Sequence, residues 1–563
     1  MKSILLVLLA LLAYQHELTS QSTGVVTYKY RFNGAEMKER PPLTLQYAAN
    51  ITKLSTQAGT NYTEATYIDY NQRRTYQVLW LNDSRYTWAD SFASYNTPKL
   101  TDEYDTILGY RCRKATTVVR SNQIEIWFTT ETELKGSPQA SLGAELGLVL
   151  KIVRNGNFET YAESVYNNPG LMETIELPES FGTFVSEAEY RDIMTRQNYT
   201  TVHVFTDEKI NYGDTIVNPA INTADVTYRF SKGTVLMKKV KLPVLTGDNI
   251  IFAELSERSG GDAYDRTGSV FVILPGDEAG MLGGFEKGPK EFPVYKSKTG
   301  KEYQGIISGA GYLPPIELMR FITPFGIGSY NEQSKVYGMQ WADSVTYKQD
   351  VSDLAHLLKG EVWIGVFIGC YDKGGHRVTL DLKYHPYETG QQPKAAPKLW
   401  IWPLINTVNL MEASGQEYGT VFLDDTLRVK VNIPAGLKSL KLRYISTGHG
   451  GWDGGDEFNQ KMNEIFIDGR RVYSYIPWRT DCGSYRQYNP SSGNFPIGVS
   501  SSDFSRSGWC PGSTANPVDI PIDISKVTPG EHTLSVFIPM GKPEGTSSSS
   551  WNVSAVLVGE MAK

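Results

Sequence analysis

A period-two alternation of apolar and polar residues is the feature that most constrains the fold of this chain. It runs through residues 26–32, 123–128, 426–433 and 441–445. Because successive side chains of a strand point to opposite faces of a sheet, each run predicts a half-buried β-strand. The sequence therefore predicts an all-β protein, built from sandwiches or jelly rolls, with few helices.

Turn and capping signals add detail to this expectation. The dipeptide Asp468-Gly469 stands between two strand-like runs and predicts a tight hairpin. Residues 352–359 predict a short helix, since a serine opens the segment and a glycine follows it. Residues 186–196 predict a second helix.

The first twenty residues are typical of a secretory signal peptide. Lys2 precedes an apolar run from residue 4 to residue 12, and small polar residues follow near residue 20. The run is too short to span a bilayer, and no later apolar run is long enough for a membrane helix. We expect an exported protein, periplasmic or secreted, with no membrane span.

A chain of 563 residues is longer than a domain with a single hydrophobic core usually is, so we expect several domains. Two boundaries suggest themselves: the predicted helix that ends before residue 200, and residues 388–398, which have the Pro, Gly and Gln content of a linker. After the signal peptide at 1–20 we expect an accessory β-domain at 21–200 and two further β-domains at 201–390 and 391–563.

Composition excludes some partners and cofactors. A net charge of −6, with no cluster of Lys or Arg, lacks the basic surface that nucleic-acid binding needs. Aromatic residues make up 12 % of the chain, which suits a β-sheet core and also permits sugar-binding platforms. The seven histidines include no His-x-His pair, so a copper monooxygenase is not expected, and no zinc motif or phosphate loop occurs. We expect no cofactor.

The four cysteines of an exported chain call for a pairing hypothesis. Cys482 and Cys510 flank a segment rich in Gly, Ser, Pro and Asn that has little to hold it by packing. A bridge between them would close a loop of about 30 residues and contribute roughly 3 to 4 kcal/mol in the chain-entropy model. We predict this bridge, and we expect Cys112 and Cys370 to be buried thiols.

Three loop segments carry side chains suited to chemistry. Asp265 lies between Tyr264 and Arg266, and it is either a turn aspartate or a carboxylate that activates water. Glu457 belongs to the segment GWDGGDEF with Asp453 and Asp456, a group that could equally be a calcium loop or a solvated turn, although it lacks the EF-hand spacing.

The third segment, FSRSGWCPG, contains Arg506 and Trp509 beside Cys510. An arginine and an indole held in this way could present a charged fork and a ring to a sugar or an amide. A tryptophan packed in the core beside a disulfide is the alternative that local sequence leaves open.

Together these segments resemble the peptide:N-glycosidase F family of amidases, which cut between the first GlcNAc of an N-glycan and its asparagine. The resemblance rests on AYDR, ISTGHG, GGDEFNQKMNEIFIDG, SRSGWCPG and MRFITPFGIG, in order over about residues 205–560. It implies catalytic roles for Asp265 and Glu457 and the Cys482–Cys510 bridge. It also implies substrate-binding roles for Arg266, Arg506, Trp509, His449 and Tyr264.

The resemblance implies two eight-stranded antiparallel jelly rolls with the active site at their interface. Residues 21–200 look like the extra N-terminal domain of some relatives, and part of them resembles an exported β-domain named for a GLPGLI motif. The family's further active-site Glu would fall near residues 367–369, where no carboxylate stands. We therefore expect two acids, not three, to carry the reaction. We also expect a wider, less charged pocket beside the first GlcNAc.

These observations predict an exported, monomeric amidase that acts on N-glycopeptides or N-glycoproteins and tolerates a core α1,3-linked fucose. A carbohydrate-binding protein without catalysis is one alternative. An endoglycosidase is another, because paired carboxylates also cleave glycosidic bonds.

Overall fold

The computed structural model describes residues 23–48, 50–55, 62–167, 175–213, 216–221, 223, 225–244, 249–309, 311–386, 398–451, 454–542 and 548–562. The predicted signal peptide and nearly all of the predicted linker lie outside these residues. Antiparallel strands dominate the described part, so the all-β prediction is confirmed. The described residues form two compact units, one ending at Asn198 and the other beginning at Tyr199.

The first unit is built on one 13-stranded sheet. Its strands are β1 (Thr23–Phe32), β2 (Ala35–Glu36), β3 (Leu43–Ala48), β4 (Ile51–Ser55), β5 (Tyr62–Asp69), β6 (Arg74–Leu81), β7 (Ser84–Ser91), β8 (Lys99–Ile107), β9 (Tyr110–Val119), β10 (Asn122–Thr129), β11 (Leu148–Arg154), β12 (Phe158–Asn167) and β13 (Thr183–Phe184). The order across the sheet is β13-β7-β6-β5-β4-β3-β1-β12-β11-β10-β9-β8, with β2 paired to β1. Burial alternates strictly along most of β1, as the period-two pattern predicts.

The predicted helix near residue 190 is present as α1 (Glu187–Arg196). Ser186 caps it, and Glu189 reaches back to the Ser186 backbone, which completes a capping box. The buried Tyr190 donates a hydrogen bond to Glu64 of β5 at 2.8 Å and so fastens the helix to the sheet.

The second unit begins with a β-sandwich. Its strands are β14 (Thr200–Ile210), β15 (Tyr228–Phe230), β16 (Val235–Leu242), β17 (Asn249–Ser259), β18 (Thr267–Val272), β19 (Val294–Lys296), β20 (Glu302–Gln304), β21 (Ile316–Ile322), β22 (Val345–Asp350), β23 (Gly360–Ile368) and β24 (His376–Pro386). One sheet has the order β14-β24-β17-β22 and the other β15-β16-β23-β18-β21, while β19 and β20 form a separate hairpin. Helix α2 (Glu278–Lys287) follows β18. Apolar side chains from both sheets meet in one core.

A second sandwich completes this unit. Its strands are β25 (Leu399–Asn406), β26 (Leu427–Ile433), β27 (Leu437–His449), β28 (Asn463–Ile467), β29 (Arg470–Tyr475), β30 (Thr514–Ala515), β31 (Val518–Ile522), β32 (Gly530–Phe537) and β33 (Ser550–Met561). The two sheets have the orders β25-β33-β27-β31 and β26-β32-β28-β29, and β30 instead pairs with β21 of the first sandwich. The expected hairpin joins β28 to β29, with positive φ at Asp468 and Gly469.

Buried arginines fix the two sandwiches against each other. Arg320 of β21 pairs with the equally buried Glu317 and donates to Thr447 of β27 at 3.3 Å. In return, Arg443 of β27 donates to the carbonyl oxygens of Glu317 and Leu318 at 2.9 and 3.2 Å. Because a buried charge that loses its partner is strongly destabilising, these contacts define one arrangement of the interface.

The prediction of a helix over residues 352–359 is wrong. The segment holds a 3-10 helix at Ser352–Leu354, followed by successive turns whose hydrogen bonds span three residues. The Ser352 hydroxyl does not cap a helix, because it accepts the backbone N–H of Ile251 at 3.0 Å. Buried Leu354, Leu357 and Leu358 hold the turns against the core instead. Among the described residues, no helix is long and apolar enough to cross a bilayer.

Candidate active site

Asp265 is presented by a turn that is fixed on both sides. In the loop between β17 and β18, the buried Asp262 accepts the Tyr264 backbone N–H at 3.0 Å and two nitrogens of Arg266 at 2.7 and 3.1 Å. The backbone of Arg266 exchanges hydrogen bonds with Thr323 at 2.8 and 2.9 Å. The partly exposed Asp265 therefore stands between two anchored neighbours.

Glu457 lies in the loop between β27 and β28, next to Asp456, whose carboxylate is buried and hydrogen-bonded by the protein. The fully buried Asp456 accepts from the Trp551 indole at 2.8 Å and from the Gly541 backbone at 3.1 Å. The Ser507 backbone donates to the carbonyl of Glu457 at 2.9 Å. Asp456 thus anchors the loop, and the carboxylate of Glu457 remains available.

The calcium-loop alternative finds no support at these acids. Asp453 lies outside the described residues, and the carboxylate of Asp456 is occupied by protein donors. No group of three metal-ligating side chains occurs in the described part of the chain.

The two candidate carboxylates, one from each sandwich, face the same cavity of about 170 Å³. Its walls come from both sandwiches, so the cavity lies at their interface. The lining residues are Asp265, Arg266, Thr267, Ile322, Phe367, Gly369, Tyr371, Val408, Asn409, Glu412, Tyr418, His449, Glu457, Trp509 and Asn552.

Arg506 holds Glu457 in place. Its Nε donates to Glu457 Oε1 at 2.8 Å, and its two terminal nitrogens donate to the carbonyls of Phe504 and Ser501 at 2.9 and 2.8 Å. The side chain is only 2 % exposed. Since each guanidinium nitrogen has a protein acceptor, Arg506 acts on the cavity through Glu457 and through its charge.

Burial and neighbouring charges shift the pKa values of the two carboxyl groups. Burial, followed by the charge of Asp265, raises the pKa of Glu457 to about 7 even though Arg506 opposes the shift. Burial also raises the pKa of Asp265, against the charges of Arg506 and Arg266. Two close carboxyls whose pKa values depend on each other are common at catalytic sites.

Trp509 and His449 form a flat wall of the cavity. Their rings stack with centroids 5.3 Å apart, and the Trp509 indole donates to the Gly448 carbonyl at 2.8 Å. His449 Nε2 lies 2.8 Å from the Thr447 hydroxyl. Burial and the charge of Arg320 lower the pKa of His449 to about 3, so this imidazole is neutral at neutral pH.

Tyrosines surround Arg266 at the mouth of the cavity. Tyr264 is 63 % exposed and Tyr371 is 53 % exposed. The centre of the Arg266 guanidinium lies 5.4 Å from the Tyr264 ring and 5.7 Å from the Tyr371 ring. Flat aromatic faces beside a cation provide a surface on which a sugar ring can lie.

The predicted disulfide between Cys482 and Cys510 is present. It closes the segment that carries Arg506 and Trp509, and it ties that segment to the cavity wall. The expectation for Cys112 and Cys370 is also confirmed, because both are free and buried.

Comparison with known proteins gives matches over most of the chain. Residues 201–384 match the model of peptide-N-glycosidase F, N terminal, and residues 417–558 match its C-terminal counterpart. Residues 26–192 match the N-glycanase peptide, N-terminal domain. A solved structure of PNGF-II is 40 % identical, with a TM-score of 0.88, and the match covers 96 % of this chain and 100 % of that chain. The chain belongs to the peptide-N-glycosidase F family.

Two further solved structures are similar to this chain. A second crystal form of PNGF-II is 41 % identical, has a TM-score of 0.79, and covers 96 % of this chain and 99 % of that one. PNGase F, described as a glycosylasparaginase from Flavobacterium meningosepticum, is 18 % identical with a TM-score of 0.43, covering 65 % and 97 %. No curated protein matches the chain.

A third carboxylate in the cavity of this peptide-N-glycosidase F relative was missed by sequence reasoning. Glu412, from a 3-10 helix at Glu412–Ser414 in the second sandwich, lines the cavity and accepts a hydrogen bond from Tyr371 of the first. Burial raises the pKa of Glu412. The cavity therefore contains a carboxylate that sequence reasoning did not place there, while the expectation that two acids carry the reaction stays a prediction. The missed carboxylate arrives from another domain through packing, and no local motif marks it.

Residues 367–369, where the family's further active-site Glu would fall, reach the cavity. Phe367 and Gly369 both line it, and neither carries a charge. A Cβ placed on Gly369 would lie 3.3 Å from the Phe367 ring and 3.7 Å from the Thr267 carbonyl oxygen. This wall is uncharged, whereas the wall that carries Glu412 is not.

Proposed function

We propose that the protein is a peptide-N4-(N-acetyl-β-glucosaminyl)asparagine amidase, which hydrolyses the side-chain amide that joins an N-glycan to its asparagine. The observation that carries this proposal is the meeting of Asp265 and Glu457, from two sandwiches, in one cavity. Membership of the peptide-N-glycosidase F family supports the same reaction.

Amide hydrolysis needs an activated water, a stabilised oxyanion and a proton for the leaving nitrogen. In the proposed reaction, Asp265 takes a proton from the water whose oxygen attacks the asparagine side-chain carbonyl carbon. The C–N bond then breaks as Glu457 gives its proton to nitrogen. The products are an aspartate side chain and a glycosylamine, so the asparagine becomes aspartate.

Arg266 supplies the donor for the oxyanion in this scheme. Two of its nitrogens are committed to Asp262, and Nη1 has no acceptor among the described residues. A guanidinium oriented by a carboxylate presents its remaining N–H groups in a fixed direction. These groups would stabilise the negative oxygen as it forms.

The protonation state of Glu457 suits a proton donor. With a pKa of about 7, a substantial share of the carboxyl is protonated near neutral pH. The neighbouring wall of Trp509 and His449 would bound the first GlcNAc, since a flat apolar face and a neutral ring pack against sugar carbons.

Mass spectrometry of a treated N-glycopeptide tests this proposal. Conversion of the glycosylated asparagine to aspartate, with release of the intact glycan, is the expected result. A peptide that keeps one GlcNAc on asparagine would identify an endoglycosidase. A glycopeptide that is bound but unaltered would identify a carbohydrate-binding protein.

We further propose that the enzyme tolerates a core α1,3-linked fucose on the first GlcNAc. The support is the uncharged wall at Phe367 and Gly369, where Gly369 contributes no side chain. Matched glycopeptides with and without this fucose should be released at comparable rates. A strong block by the fucose would disprove the tolerance and leave the amidase proposal standing.

Export through the segment at residues 1–20 is part of the same proposal. Its support is the charged start and apolar run of that segment. Amino-terminal sequencing of the protein recovered outside the cytoplasm should find a mature chain that begins near residue 21. Recovery of uncleaved chain in the cytoplasm alone would contradict export.

A further inference from the structure

A row of four ionisable side chains runs from the interior of the first sandwich to the cavity. Glu257 of β17 lies 2.8 Å from His376 Nδ1, and Nε2 of His376 lies 3.6 Å from Asp262 Oδ2. Asp262 binds Arg266 through two hydrogen bonds of 2.7 and 3.1 Å. The first three side chains are at most 1 % exposed, and Arg266 is 21 % exposed.

Burying such a row costs free energy, because each charged group loses its contact with water and needs a partner inside the protein. The signs alternate along it: Glu257 and Asp262 are acids, while His376 and Arg266 are bases. Glu257 and His376 do not contact the backbone next to Arg266, which Thr323 holds through hydrogen bonds of 2.8 and 2.9 Å. The proposed reaction uses only Arg266, so the other three groups require a separate explanation.

The geometry points to Glu257 and His376 as positioning residues that act through Asp262 to fix the direction of the Arg266 guanidinium. Asp262 uses both carboxylate oxygens on Arg266 and can hold it flat only while its own orientation is fixed. His376 approaches the outer side of Asp262 Oδ2, and Glu257 holds His376 from behind. Arg266 then keeps Nη1 toward the cavity.

Electrostatics supports a protonated His376 in this row. Burial alone would lower the pKa of His376, but the nearby charge of Asp262 and the hydrogen bond and charge of Glu257 raise it to about 9. His376 and Arg266 together hold the pKa of Asp262 well below its usual range, against its burial. Burial raises the pKa of Glu257, and the hydrogen bond and charge of His376 oppose that shift. His376 and Arg266 therefore carry positive charges at neutral pH with the ionised Asp262 between them.

Asp265 and Glu412 place carboxyl groups near Arg266, whereas the phenol and thiol beside the row stay uncharged at neutral pH. Tyr347 of β22 faces Glu257, and burial raises the pKa of this phenol. Cys370 faces Asp262 and Arg266, and burial raises its pKa to about 12. His376 is thus the group in the row that loses charge when the pH rises from neutral toward alkaline values.

The inference rests on the proposed amidase activity, and a double-mutant cycle tests it. The variants are His376→Gln, Asp262→Asn and Arg266→Ala, alone and with each of the first two added to Arg266→Ala. We expect His376→Gln and Asp262→Asn each to lower kcat/KM about tenfold or more, the value of a hydrogen bond to a charged group. In the Arg266→Ala background each should change kcat/KM less than about twofold, because the group they position is gone.

His385→Gln is the matched control, since His385 lies on the same strand but contacts Tyr199 and Phe252 away from the cavity. It should keep wild-type kcat/KM. If His376→Gln folds poorly, the Glu257→Gln/His376→Gln variant removes both buried charges together and is expected to behave in the same way. Full-sized losses in the Arg266→Ala background, or wild-type kcat/KM in His376→Gln, would overturn the inference.

A second readout needs no substrate and separates this inference from the amidase proposal. Because the folded pKa of His376 is raised, its contribution to stability is complete below about 6.5 and is lost as pH rises to about 9. The Tm of the wild type should therefore fall more steeply over this range than that of His376→Gln. Parallel Tm curves would refute the charged row even in an active enzyme, whereas an inactive wild type with divergent curves would refute only the amidase proposal.

Discussion

Arg506 donates its Nε–H to Glu457 Oε1 at 2.8 Å, and this contact joins the second carboxylate of the cavity to the disulfide-closed segment. Each guanidinium nitrogen of Arg506 donates to a protein acceptor, so Arg506 would influence a substrate through Glu457. Burial and the charge of Asp265 nevertheless raise the pKa of that carboxyl to about 7. The balance between these opposing effects sets how the enzyme responds to pH.

The pH dependence of turnover follows from the role of Glu457 as a proton donor. The protonated form is needed, so kcat/KM should fall as the pH rises through about 7. Initial rates on one glycopeptide across this range measure the effect. The residual activity of Glu457→Gln should lack this alkaline loss. Glu464→Gln, which removes the partly buried partner of Arg471, should retain it. An alkaline loss that persists unchanged in Glu457→Gln would exclude this assignment.

Substitution of Arg506 by lysine should move the same alkaline loss to higher pH. Lysine keeps a positive charge but cannot reproduce three separately directed donors, so Glu457 is held less well in its ionised form. We expect a shift of up to about one pH unit, equivalent to about 1.4 kcal/mol. A pH profile identical to that of the wild type would show that Arg506 does not control this carboxyl.

Glu412→Gln should weaken substrate binding more than the chemical step. The carboxyl accepts from Tyr371 and lines the same cavity as Asp265. Loss of a hydrogen bond to a charged group corresponds to about tenfold in kcat/KM, mainly through KM. Glu417→Gln is the control, because Glu417 pairs with Lys301 outside the cavity lining. A selective fall in kcat would instead place Glu412 in the reaction.

Removal of the disulfide should lower both stability and activity. Cys482→Ser with Cys510→Ser opens the segment that holds Arg506 and Trp509. The chain-entropy model predicts a loss of roughly 3 to 4 kcal/mol in the free energy of unfolding. Urea titrations of the variant and the wild type measure it. Cys112→Ser controls for loss of a buried thiol, and equal midpoints for the disulfide variant and the wild type would contradict the expectation.

Local patterns predicted the local structure well where one physical rule dominates. Alternation located β1 and β10, the Asp468-Gly469 pair located a hairpin, and the capping residues located α1. The segment after Ser352 failed because its hydroxyl is taken by a neighbouring strand, a tertiary contact that local sequence does not reveal.

The candidate site shows a similar division. The family resemblance singled out Asp265 and Glu457, whereas local sequence left Glu457 in one group with Asp456. Only the structure shows that the Asp456 carboxylate is occupied by protein donors. Glu412 stands in a segment without a motif and reaches the cavity because the two sandwiches pack together. His376 reaches Asp262 through the pairing of β24 with β17 inside the first sandwich. Side chains brought together by tertiary structure leave no spacing signal along the chain.

Turnover of Asp265→Asn tests the central claim most directly, with release of aspartate-containing peptide followed by mass spectrometry. We predict a loss in kcat of at least about a hundredfold with an unchanged Tm, because the side chain keeps its shape and loses only its basicity. Asp277→Asn, at an exposed site whose side chain caps no helix, should keep full activity. Near-normal turnover by Asp265→Asn would contradict the proposed reaction.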